Sequence, residues 1–333
     1  MRKENISRTF LLLGLGVLVI LLASIFIGRY PEPYWLPPKL LGEDQLARQL
    51  VLNLRLPRLL TALLLGMILS AAGSILQMIF RNPLVEPGFL GVSQGAAFGA
   101  AVSILWLGSH PLTIELTATF FGLLALGLSY LISTRIRYGG WVLRLVLSGV
   151  AVSALFSAGV GILKYIADPL TQLPELTFWL LGGLYSVTWR DFLYVLPFAL
   201  AGIFTVYAMR WRVNLLSLND DTAFSLGASL TRERIILLTV TISAAAALTA
   251  ISGVIGWVGL IVPHISRRLF GASAEKSIPA AMLLGGAFTM IADDLARTLL
   301  PGEIPLGILT SLIGAILFIY LMISIGVKVR RDG

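Results

Sequence analysis

The chain has 333 residues, 57% of them hydrophobic and 13% charged, with a mean hydropathy of +0.90; a soluble domain carries about 45–50% apolar and about 25% charged residues, so water is not the main solvent of this surface. The absence of cysteine excludes a disulfide scaffold, a thiol catalyst and any cysteine-ligated metal, and two histidines, His110 and His264, leave little for a histidine metal site. The formal charge of +8 comes from short basic clusters at the ends of apolar runs, a membrane pattern rather than a nucleic-acid one.

A helix needs about 20 apolar residues to cross about 30 Å of hydrocarbon. Stretches free of Asp, Glu, Lys and Arg run over 9–28, 59–80, 87–114, 116–134, 145–163, 192–209, 235–266, 277–292 and 304–327. The first is long enough to span, and no small-residue cleavage site follows before Arg29, so it is expected to stay as a span rather than be removed. The stretch 235–266 would reach roughly 48 Å as one helix and must fold back. Gly253, Gly256 and Gly259 supply the break, which raises the expected total to ten spans. The run 176–189 is too short to cross and reads as an outer interfacial or re-entrant helix, about 170–189.

Lys and Arg near span ends are held on the cytoplasmic side. With the N-terminus inside, the inner set includes Arg2, Lys3, Arg8, Arg81, Arg135, Arg137, Arg144, Arg210, Arg212, Arg232, Arg234, Arg267, Arg268, Lys276, Lys328, Arg330 and Arg331, most of the 25 basic residues. Both termini are therefore expected in the cytoplasm. Trp35, Trp106 and Trp189 then fall at outer ends, and Trp141 and Trp211 at inner ends, as an aromatic belt requires.

Ion-driven transporters usually carry ionisable groups at mid-membrane. Here the plausible intramembrane acids are Asp293 and Asp294, with Arg297 one turn away as an ion-pair partner near the outer interface. Small residues such as Gly66, Ser70, Gly73, Ser148 and Ser153 are abundant instead, and their usual meaning is close helix packing. No G-x-x-x-x-G-K-[ST] occurs, so the chain does not carry that phosphate cradle and cannot by itself hydrolyse ATP by that route; if transport is uphill, its energy comes from elsewhere. The segment 214–234, NLLSLNDDTAFSLGASLTRER, is placed to receive it. Asn219 or Asp220 can cap a short helix, Thr222, Ala223, Phe224 and Leu226 continue it, and Gly227 can end it in a left-handed conformation. On the outer side Arg55 and Arg58, at i and i+3, share a helix face; snorkelling to lipid phosphate is the ordinary reading and docking of an acidic partner the sharper one.

Four segments carry a resemblance: 54–100 (LRLPRLLTALLLGMILSAAGSILQMIFRNPLVEPGFLGVSQGAAFGA), 214–232 (NLLSLNDDTAFSLGASLTR), 251–271 (ISGVIGWVGLIVPHISRRLFG) and 292–321, with ADDLART and EIPLGILTSLIGAILFIYL. They are similar to the FecCD-type permeases, membrane subunits of bacterial type II ABC importers for iron–siderophore, haem and cobalamin, in order and over essentially the whole length. The resemblance implies an all-α integral membrane fold in which 1–333 is a single polytopic domain of ten transmembrane helices, paired into a homodimer of 20 helices. It implies two cytoplasmic ATPase subunits, which bind the ATP and Mg, and an extracytoplasmic substrate-binding protein; no cofactor is expected in this chain. The location implied is a bacterial or archaeal cytoplasmic membrane.

Residue by residue, 214–232 resembles the coupling helices that sit in the ATPase cleft, with Leu218, Asn219, Asp220, Asp221, Thr222, Ala223, Ser225, Leu226, Gly227 and Arg232 as coupling residues. Arg55, Arg58 and Arg297 match arginines that meet glutamates of the binding protein. Asn82 and Leu84, with Val142 and Leu143, match the cytoplasmic gate; the second pair is small and hydroxylated in cobalamin members and apolar here, so gating by dewetting becomes available. The implied mechanism is alternating access. A metal chelate, iron–siderophore or haem, is the expected cargo, with cobalamin or a molybdate-type oxyanion as the alternative. An ion-coupled secondary transporter is the rival from another class, and a lipid-modifying enzyme is disfavoured because no histidine cluster or carboxylate pair stands at catalytic spacing.

Overall fold

Apolar runs separated by glycine, proline and capping residues become helices with little else between them. In the computed structural model, residues 3–31 and 34–331 are described; Arg2 lies outside them, as do the side chains of Lys3, Lys328, Arg330 and Arg331, which the orientation argument used. The helices are α1 (Lys3–Phe26), α2 (Leu40–Glu43), α3 (Gln45–Gln49), α4 (Leu56–Ile79), α5 (Val92–Val102), α6 (Pro111–Arg135), α7 (Trp141–Ile166), α8 (Gln172–Leu181), α9 (Trp189–Leu216), α10 (Asp220–Ser225), α11 (Leu230–Ser252), α12 (Val258–Phe270), α13 (Ala274–Thr298) and α14 (Leu306–Arg331). A two-residue ribbon pairs β1 (Ile27–Gly28) with β2 (Tyr34–Trp35), antiparallel.

Among the described residues, seven helices are long and apolar enough to cross a membrane: Arg8–Phe26, Gln45–Ile79, Pro111–Arg135, Trp141–Ile166, Trp189–Leu216, Leu230–Ser252 and Ala274–Thr298. Val92–Leu107 and Leu306–Leu321 are shorter apolar helices. The expected fold-back of 235–266 is present: α11 stops at Ser252, Gly253 and Trp257 take φ of +66° and +72°, and α12 begins at Val258. Gly259 lies inside α12 rather than in the break. The run 87–114 departs from the single span expected of it. Gly108, at φ +91°, ends the helical stretch, and His110 caps α6 by accepting from the Leu112 amide, with Pro111 at its first position. The start of α6 is thus set by capping and not by charge, which leaves Glu115 buried inside the helix. Likewise the expected outer helix of about 170–189 is the 10-residue α8, ended by Gly182 at φ +70° and joined to the α11 end by Gly183 N–H donating to the Ser252 carbonyl.

The α4 helix is the centre of the bundle. Its apolar window is 83% buried, against 11% for α1, whose Leu11, Leu12 and Val19 face outward. Small residues let its neighbours approach: a Cβ at Gly66 would overlap the Gly285 carbonyl of α13, and Thr289 Oγ1 donates to the Ala62 carbonyl at 2.6 Å. The loops 81–91, 136–140, 217–229 and 271–273 gather at one end, here the basic end. The ribbon, the α3–α4 turn and the 299–305 segment form the opposite rim.

Candidate functional site

Rim residues come from three helix ends. A π-helical turn, Leu50–Arg55, joins α3 to α4 and leads directly into Pro57, so Arg55 and Arg58 both project from the first turn of α4. Both are buried, as is Arg297 at the end of α13. Arg58 donates from Nε and Nη2 to Asp293 at 2.9–3.0 Å and from Nη1 to Glu303 at 2.9 Å. Arg297 pairs with Asp294, as the i, i+3 spacing predicts, and donates to the Ser24 carbonyl at 2.6 Å. Ser24 Oγ in turn donates to Asp294 at 2.5 Å. Arg55 donates to the Ile25 carbonyl at 2.9 Å and packs on Gly28, where any Cβ would strike the guanidinium. Arg58 and Arg297 therefore meet three carboxylates on their own chain, and with Arg55 they tie α1, α4 and α13 together. The cluster is still reachable: Arg55, Arg58 and Arg297 line one cavity of about 350 Å³ with Arg29 and the partly exposed Glu303.

The segment 214–232 forms the short helix expected of it. α10 ends in a Schellman turn, with Gly227 at φ +81°, its N–H donating to Phe224 and the Ala228 N–H to Ala223. The start differs from expectation: neither Asn219 nor Asp220 caps through its side chain. Both side chains are engaged elsewhere. Arg81, just past the end of α4, donates to Asn219 Oδ1 at 2.7 Å and to the Leu218 carbonyl, and lies 3.7 Å from Asp220. Asp220 accepts from Arg234 of α11 at 2.7 and 3.2 Å, and this bond holds its carboxyl below the usual carboxylate range. Ala223 is buried against Leu215 and Ala228, whereas Leu218, Asp221, Thr222, Phe224, Ser225, Leu226 and Arg232 stand exposed.

The expected gate residues sit beside this helix. Asn82 and Leu84 are exposed in the loop after α4, where Asn82 Oδ1 accepts from the Leu84 N–H at 3.0 Å. Val142 is half-buried and Leu143 exposed at the start of α7. What joins them was missed from the sequence. Phe80, one residue before Arg81, packs edge-on against Trp141 at 5.8 Å, and the Arg234 guanidinium lies 4.8 Å from the Trp141 ring centre. Phe80, Trp141, Arg234, Asp220 and Arg81 thus close a ring linking the α4 end, the α7 start, α10 and α11. Arg234 appears in the sequence only as one more basic residue at a span end, Trp141 as a belt residue and Phe80 as the last residue of an apolar run; no local spacing joins them.

The profile of the FecCD transport family matches residues 16–324. The molybdate import system permease protein MolB of Haemophilus influenzae is 39% identical over 333 residues, covering 97% of each chain. The hemin transport system permease protein HmuU of Yersinia pestis is 39% identical over 280 residues, covering 82% of each. Among solved structures, an inward-facing metal-chelate type ABC transporter superposes with a TM-score of 0.88 at 38% identity, over 96% of this chain and 99% of that one. An all-helical membrane chain, matched along nearly its full length in both sequence and fold, belongs to the FecCD transport family.

Proposed function

We propose that the chain is the permease subunit of an ATP-driven importer that works by alternating access. Two copies form a homodimer of ten spans each, with α5, α12 and α14 completing the count and with the basic end and both termini in the cytoplasm. Two ATPase subunits bind ATP and Mg and grip the exposed Phe224 and Leu226 of α10. The observation that carries this reading is the closed ring: a push on α10 reaches Asn82 through Arg81 and Val142 through Arg234 and Trp141. A short capped helix bolted at two points transmits such a push better than a loose loop.

At the rim, a substrate-binding protein docks its carboxylates into the arginine-lined cavity, where partly exposed Glu303 is the group to be displaced from Arg58. The cargo is a metal chelate, which the names of HmuU and of the superposing transporter support; an oxyanion is the second reading, favoured by MolB. Uptake into proteoliposomes with ATPase and binding protein supplied tests the whole. Transport should need ATP and survive collapse of the proton gradient; dependence on the gradient with ATP kept would make the chain a secondary transporter. Arg55→Gln should lower stimulation of ATPase by the binding protein while basal hydrolysis continues, and undiminished stimulation would remove the docking role.

A further inference from the structure

Arg144 stands apart from the ring. Among the described residues no carboxylate pairs with it; its Nη1 donates to the Ile136 carbonyl at 3.1 Å across the α6–α7 turn, and its Nε is buried without an acceptor. Arg234, more than nine-tenths buried, spends both Nη groups on Asp220 and leaves its Nε in the same condition. Buried N–H groups without acceptors are rare in native proteins, and two on neighbouring arginines point to a shared acceptor. Both arginines line one cavity of about 400 Å³ between α6, α7, α10 and α11, together with Trp141, Tyr130, Thr231 and Asp220. The lining holds two guanidinium groups, Arg144 and Arg234, against the single carboxylate of Asp220, which Arg81 also neutralises from outside, so the cavity is positive.

The chemistry that satisfies two guanidinium forks at once is a compact group with several acceptor oxygens and negative charge, and phosphate fits that description best. Its lining includes the exposed Tyr130 of α6 and Ile235 of α11, aromatic and aliphatic surface suited to acyl chains. Basic pockets between helix ends at the membrane interface are the ordinary receptors for lipid headgroups. We infer that this cavity is a binding site for a phosphate group, supplied by an anionic phospholipid and held between Arg144 and Arg234 beside α10. Because Asp220 keeps both Nη groups of Arg234, the phosphate adds to the ring and ties the α6–α7 turn to it. The consequence for transport rests on the coupling role proposed above; the binding does not.

Purified full-length chain is titrated with phosphatidylglycerol and phosphatidylcholine, with retained lipid read by native mass spectrometry, and separately with inorganic phosphate, read by phosphorus NMR. Phosphatidylglycerol is expected to bind about tenfold tighter than phosphatidylcholine, Arg144→Gln to erase that preference and Arg144→Lys to keep most of it. Thr231→Glu places a carboxylate on an exposed turn at the mouth and should expel the lipid as Arg144→Gln does, without disturbing a buried side chain. Free phosphate binding as tightly as phosphatidylglycerol would overturn the lipid source while keeping the phosphate chemistry. Equal retention of phosphatidylglycerol by wild type, Arg144→Gln and Thr231→Glu would overturn the site. No ATPase or cargo enters these measurements, so the site and the coupling role can fail independently.

Discussion

The two ends of the bundle are both built on guanidinium groups, but they are balanced differently. At the rim Arg58 and Arg297 meet Asp293, Asp294 and Glu303 while Arg55 donates to the Ile25 carbonyl, and Asp293 has no exposed side-chain surface. At the basic end Arg81 and Arg234 share Asp220, whose side chain is 54% exposed. Burial decides what each can do. A desolvated pair is costly to break, because whichever charge remains is stranded away from water. A pair with one exposed partner, such as Asp220 with buried Arg234, is only half desolvated and can re-form in another arrangement. The rim clamp therefore suits a fixed frame, and the ring at the basic end suits a joint that moves.

The sharpest way to break that comparison is Asp293→Ala, which takes the fully buried partner from Arg58, leaves it only the partly exposed Glu303 and should cost about 3 kcal/mol, seen as a lower melting temperature of the detergent-solubilised protein. Adding Arg58→Leu should recover much of the loss; no recovery would mean that the pair is not the source of the cost. Gly66→Leu comes next. It forces α4 away from the Gly285 carbonyl and should destabilise by about 1–3 kcal/mol, without the rescue that the charged pair shows.

Effects at the joint are smaller in stability and larger in coupling. Gly227→Ala puts a Cβ on a left-handed residue at a cost of about 1 kcal/mol, and hydrogen exchange should report lost protection confined to 218–228. Asp220→Asn keeps an acceptor for the buried Arg234 while removing the charge, and should shift the melt by about 1 kcal/mol, less than Asp293→Ala, yet separate ATP hydrolysis from uptake; uptake kept in proportion to hydrolysis would remove the ring from the mechanism. The smallest expected effect is that of pH. Since Arg234 holds the Asp220 carboxyl below its usual range, its contribution is complete above the ordinary value of 3.8 and fades only as pH falls through the depressed one. Coupling should accordingly stay flat across the neutral range, and a decline there would show that another group controls it.

What the sequence made legible was local. The α10 stop at Gly227, the Arg297–Asp294 pair and the fold-back after Ser252 all follow from turn chemistry or i, i+3 spacing. Arg58 and Asp293 are 235 positions apart, and the ring draws on four elements, so neither leaves a trace in any short window. The start of α6 was obscured for another reason: counting charges treats Glu115 as a boundary, whereas Pro111 and the His110 cap set it four residues earlier. Asn219 shows the reverse case, a side chain with the right chemistry for a cap that a distant arginine claims instead.

The α4 helix has 24 residues, roughly 36 Å of continuous rod. Arg58 sits in its upper turns and Arg81 two residues past its last one, so the clamp and the joint hang on opposite ends of one stiff strut. Hydrogen-bonded helix scarcely shortens or stretches, and side chains on every face keep this one from bowing. Any tilt that begins where the strut meets Asp220 must therefore arrive, with little loss, at the rim roughly 35 Å away.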